Sequence, residues 1–147
     1  MRAKLKYCIF LLIGITMVFC RKPRNGDYVM TETGTKIIQS CWGPGNCETK
    51  NEAVFTKSVV AVEDSKKHWL YVDGKKWDKD INAVYYTNSF TNEYSPTSSE
   101  SFTFTYSGAI KHKFLIEGTY TINSVYYQNS EVYTTTNSGV FTLKVKK

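Results

Sequence analysis

A chain of 147 residues, 41% hydrophobic, 15% aromatic and 22% charged, has the length of one domain with its own core. Its formal net charge of +6 counts Arg2, Lys4 and Lys6 at the start. Downstream the excess is mild and the lysines are scattered, which argues against a nucleic-acid binder.

The first element is a leader. Arg2, Lys4 and Lys6 precede a mostly apolar run from Tyr7 to Phe19, which Cys20 and the polar Arg21, Lys22, Pro23 and Arg24 follow at once. The run has the length of a signal-peptide core and falls short of the ~20 residues that span a bilayer. No A-x-A cleavage pattern precedes the polar break. Met17-Val18-Phe19-Cys20 resembles the lipobox of bacterial lipoproteins, with Met17 and Phe19 where that family favours Leu and a small residue. The resemblance implies removal of residues 1–19, a diacylglyceryl group on Cys20, and a polar tether over residues 20–27. It implies a partner, the membrane, and a location in the bacterial cell envelope, at the outer membrane or cell surface in preference to the inner membrane. Acyl chains at ~0.8 kcal/mol per buried methylene would hold such a protein firmly. Two other readings stay open: an uncleaved anchor or atypical secretory signal, and a buried first strand or helix of a cytoplasmic domain.

From Tyr28 to Lys147 the chain reads as one all-β domain. Thr, Val, Ile, Tyr and Phe recur, broken every 8–12 residues by Gly, Asn, Asp or Ser, and no apolar pattern of helical period appears. The expected architecture is a single antiparallel β-sandwich or meander β-barrel of about 8–10 strands. Tyr28–Thr33 and Lys36–Cys41 read as two segments parted by Gly34. Cys41 and Cys47 bracket Trp42-Gly43-Pro44-Gly45-Asn46, a tight reversal, and in an exported chain they read as a disulfide that adds ~2 kcal/mol. Ala53–Glu63 follows. The sharpest hairpin is Trp69 to Trp77, where Asp73-Gly74 suits a type I′ turn and pairs Leu70 with Trp77, Tyr71 with Lys76 and Val72 with Lys75. On the outer side Tyr71 is expected to cover the Lys76 stem. Ala83–Thr87 is a short strand, and Thr91–Glu100, with Pro96 and four serines, reads as the longest loop. Phe102, Phe104 and Tyr106 alternate with Ser101, Thr103 and Thr105. Phe114 and Ile116, then Tyr120 and Ile122, continue the pattern. Val132–Thr136 reads as an edge strand and Gly139–Lys146 as the last one, its lysines protecting an open edge.

Phe102 to Gly108, Glu117 to Ile122 and Gly139 to Leu143 together resemble the strand rhythm of small lipocalin-like bacterial lipoproteins. The early G-x-W of lipocalins is absent. This resemblance covers the C-terminal third and implies an antiparallel barrel or sandwich.

The catalytic inventory is thin. His68 and His112 sit among lysines, C-x₅-C is a poor zinc spacing, and no nucleophile, phosphate-loop or metalloprotease motif occurs. Asp73, Asp78 and Asp80 lack the spacing of a calcium loop and lie among lysines. We therefore expect no catalytic residues, no metal and no cofactor. Aromatic residues are the remaining candidates. Each Tyr-Tyr step sends one ring to each face of a strand, so Tyr85, Tyr86, Tyr126 and Tyr127 are candidate partner contacts, with Trp42 in the disulfide loop. The expected function is a lipid-anchored, non-enzymatic binding or structural domain with a protein partner. The alternative is a lipocalin-like carrier of a small apolar ligand, with Phe102, Phe104, Phe114 and Tyr120 lining its cavity.

Overall fold

The computed structural model describes residues 22–65, 68–95 and 97–147. Residues 1–21, with the expected leader and Cys20, lie outside them. Among the described residues eight antiparallel strands follow one another as a meander and close on themselves as one sheet, β1 beside β8. They are β1 Gly26–Trp42, β2 Cys47–Asp64, β3 Trp69–Val72, β4 Lys75–Lys79, β5 Ala83–Ser95, β6 Ser98–His112, β7 Leu115–Gln128 and β8 Glu131–Val145. The sheet is a barrel, so the sandwich alternative is not realised.

Strand length decides the shape. β1 and β2 have 17 and 18 residues, or roughly 55–60 Å of strand at about 3.3 Å per residue, whereas β3 and β4 have 4 and 5. β2 meets β3 only over Val62–Asp64, and β5 meets β4 only at Val84 and Tyr85. The barrel is therefore closed at one end alone. Beyond the short hairpin the other six strands continue as a curved sheet, and β2 and β5 leave a gap between them.

Alternation puts Tyr28, Val60, Val62, Leu70, Val72, Trp77, Val84, Tyr106, Ile110, Ile116, Tyr120, Phe141 and Leu143 into the closed end as one buried core. Two cross-strand glycine pairs allow the sheet to bend tightly there. A Cβ at Gly118 would stand 2.1 Å from the Ser107 carbonyl oxygen, and one at Gly34 equally close to that of Ser138. The Phe141 ring fills the space that Gly108 and Gly118 leave, which restores packing where side chains are missing.

Several sequence expectations change. Gly34 interrupts nothing, because it pairs with both Val54 and Gly139 inside the long β1. Thr91–Glu100 is not a long loop: pairing runs through Thr91–Ser101, Asn92–Glu100 and Glu93–Ser99 to Ser95–Ser98. Ladder bonds need no apolar alternation, and hydroxyl pairs such as Thr91–Ser101 at 3.0 Å bind the strands where hydrophobic side chains are few. Val132–Thr136 and Gly139–Val145 belong to one strand, β8, which has neighbours on both sides and no open edge. The β3–β4 hairpin has the expected register, and Asp73 and Gly74 carry the positive φ of 51° and 73° that the turn requires. On its outer face Lys76 is paired with Tyr71, and its ammonium lies 3.3 Å from the centroid of Trp69, the indole face offering the stronger quadrupole.

Candidate functional site: an aromatic trough above the closed core

The open half presents an inner face whose chemistry changes around the sheet. Along one register row the paired residues are Phe90, Phe102, Ser124, Thr135, Ile38 and Lys50. The β5–β6 side is thus aromatic, β7–β8 carries hydroxyls, and β1–β2 carries charge. Phe90, Phe102 and Phe104 stack in near-parallel planes with centroids 5.0–6.2 Å apart. Phe90 is 42% exposed. Three stacked rings facing an open trough give planar apolar contact area at little entropic cost.

The trough floor is a cavity of about 210 Å³ lined by Met30, Val60, Trp77, Tyr86, Phe104 and Tyr106, with Asp73 and Lys75 of the hairpin turn at its lip. Trp77 is 3% exposed and stacks on Tyr86 at 5.5 Å. Its indole Nε1–H is buried and has no acceptor among the described residues. Such a donor costs about 1–3 kcal/mol when left unpaired. Across the barrel Glu32 accepts from the Tyr106 hydroxyl at 2.7 Å and from the Thr56 hydroxyl at 2.7 Å. Burial foremost, and then the Glu32 carboxylate, push the Tyr106 phenol well above its ordinary value. Lys50 and Glu52 pair at 2.6 Å further up the β2 wall.

The candidate residues named from sequence separate into several places. Phe102 and Phe104 share the inner wall. Tyr120 is also inward but belongs to the closed core, its hydroxyl donating to Asn137 at 2.9 Å. Phe114 stands in the β6–β7 turn on the outer surface, beside Thr142 and Lys144. Tyr86 and Tyr126 point inward, and Tyr126 packs near Tyr133 at 6.0 Å. Tyr85 and Tyr127 are exposed outside. Trp42 is exposed on the far rim, next to the Cys41–Cys47 disulfide that ties β1 to β2. The rim tyrosines, Trp42 and the trough floor do not form one surface. Cys20 lies outside the described residues.

Sequence reasoning missed Phe90 and Trp77 as site residues. Phe90 sat in a stretch without clear alternation, and Trp77 read as simple core. Asp73, Asp78 and Asp80 do not converge, and among the described residues no group of three metal-ligating side chains gathers. His112 lines a groove with Glu117, but its Nδ1 accepts the Phe114 amide at 3.2 Å. The chain matches no protein-family model, no curated protein and no solved structure.

Proposed function

We propose that the protein is a non-enzymatic binding protein, held on a bacterial envelope membrane through a lipidated Cys20, that takes a ligand with an apolar body and one hydrogen-bond acceptor into the open half of its barrel. The observation that carries this reading is the Trp77 indole N–H, buried and unpartnered in the wall of a cavity that Met30, Tyr86 and Phe104 also line. An acceptor on the ligand satisfies that donor once the Trp77 ring turns it toward the cavity, and the stacked phenylalanines above it cover the remainder of the ligand. This resembles the lipocalin manner of binding, but with a barrel open along one side.

The test uses a Trp42→Phe/Trp69→Phe protein, in which Trp77 is the sole tryptophan, titrated with dodecanoic acid and with anilinonaphthalene sulfonate. Saturable change in Trp77 emission is expected, and Phe104→Ala should weaken it at least about tenfold, or 1.4 kcal/mol. No change with either probe would remove the apolar-ligand reading. Mass analysis of the N-terminal peptide from native membranes tests the anchor separately: an acylated Cys20 supports it, and an unmodified chain that retains residues 1–19 refutes it.

A second reading rests on the unpaired edges of β2 and β5. Thr87–Asn92 pairs with β6 only, and no charged side chain protects it. An extended polypeptide adding to that edge would gain ladder bonds while placing alternate side chains in the trough. Partner-dependent hydrogen-exchange protection confined to Thr87–Asn92 would favour it over the small ligand.

A further inference from the structure

A second cavity lies away from the trough. A groove of about 710 Å³ runs along the outer wall at the closed end. Arg24, Lys144, Lys146 and Lys147 line it, and Glu117 supplies the one acidic side chain among the lining residues. Its apolar floor comes from Phe114, Leu115 and Val145. The Lys113 ammonium lies 4.8 Å from the Phe114 centroid at the same edge.

Two further observations give the groove a direction. The opposite rim is acidic, with Glu48, Glu93, Glu100 and Glu131 near the far turns and Lys50 already paired to Glu52. The tether is pinned at the basic end: Pro23 is buried, the Arg24 N–H donates to the Lys113 carbonyl at 2.8 Å, and Tyr28 Oη donates to the same carbonyl at 2.9 Å. Position 20 is four residues before Arg24, so it lies within roughly 14 Å of this end even when the chain is fully extended.

We propose that the closed end is a membrane-facing surface whose groove seats the headgroup of an anionic phospholipid. The cations meet the phosphate, and Phe114, Leu115 and Val145 meet the glycerol and the first methylenes, contacts that a free phosphate ion lacks. The charge asymmetry orients the barrel: an anionic surface attracts the basic end and repels the acidic rim, so the trough opens away from the membrane. Only the reach to the bilayer draws on the proposed anchor; the groove's recognition of lipid stands on its own residues.

The test is amine footprinting of the full chain reconstituted into phosphatidylcholine vesicles with and without phosphatidylglycerol. With the anionic lipid, labelling of Lys113, Lys144 and Lys146 is expected to slow about fivefold, to recover in high salt, and to leave Lys36 and Lys50 of the open half unchanged. Lys144→Gln/Lys146→Gln should lose the dependence on anionic lipid with an unchanged melting temperature, since both side chains are exposed. Equal labelling at the two ends overturns the proposal. So does equal protection on pure phosphatidylcholine, which assigns the shielding to proximity alone. Protection by dissolved glycerol phosphate without vesicles also overturns it, in favour of a site for a free anion.

Discussion

The two halves of the barrel are built from the same six long strands and differ by one short hairpin. Where β3 and β4 complete the circle, inward side chains such as Tyr28, Leu70, Trp77 and Phe141 are almost fully buried. Where the hairpin stops, inward residues of equal hydrophobicity, Phe90 and Phe102 among them, stay partly open to solvent. Alternation is the same above and below. Closure alone turns an apolar stripe into a core, and its absence turns the same stripe into a binding wall.

The largest test of that comparison sets Phe141→Ala against Phe90→Ala in urea unfolding. Phe141 fills the glycine gap of the closed end, so its loss should destabilise by about 4 kcal/mol. Phe90→Ala should cost less than about 1 kcal/mol, because little of its surface leaves water. Equal losses would mean that the upper half is packed in solution.

Lys79 and Asp64 join across the closed end as a buried ion pair, their side chains 7% and 6% exposed. Lys79→Met takes the Lys79 ammonium away from the buried carboxylate and is expected to destabilise by about 1–3 kcal/mol, read from the urea midpoint. A neutral result would place water within the closed end. On the far rim, breaking the Cys41–Cys47 disulfide by Cys47→Ala should cost about 2 kcal/mol. Hydrogen exchange should then rise in Gln39–Thr49 and stay unchanged in β3 and β4. Exchange rising everywhere would show that the halves unfold as one unit.

The smallest effect concerns alkali. Burial is the main cause that raises the Tyr28, Tyr106 and Tyr120 phenols, all in the closed half. A phenol raised in the folded state keeps a proton that the unfolded chain releases near pH 10. Its contribution is therefore complete below about pH 10 and is lost as pH rises beyond it. Circular dichroism against pH should show Tyr106→Phe starting to unfold at higher pH than the parent protein; identical profiles would assign alkaline unfolding to other groups.

Local chemistry made much of this legible without coordinates. The Asp73-Gly74 turn, the Leu70–Trp77 pair and the Phe102–Phe104–Tyr106 alternation depend on neighbours close in sequence, and each reads directly. The disulfide between Cys41 and Cys47 follows from its turn. Strand length was not legible. Thr91–Glu100 reads as loop because hydroxyl-rich pairs leave no hydrophobic period, yet they bond across the ladder as well as apolar ones do. The trough was illegible for a related reason. Phe90, Phe104, Trp77 and Met30 come from β5, β6, β4 and β1, and only barrel closure brings them together.

What the amino-acid sequence determined by itself was the all-β character, the alternation of faces, the turns and the charge at each turn, since these are short-range properties of the chain. The tertiary structure alone decided that one sheet closes instead of two stacking, that closure stops at the height of a short hairpin, and that a buried indole donor lies beneath stacked rings with no acceptor among the described residues. Those outcomes depend on pairing between strands distant in sequence, β1 with β8 above all, and such pairing is set by the length and register of every strand at once.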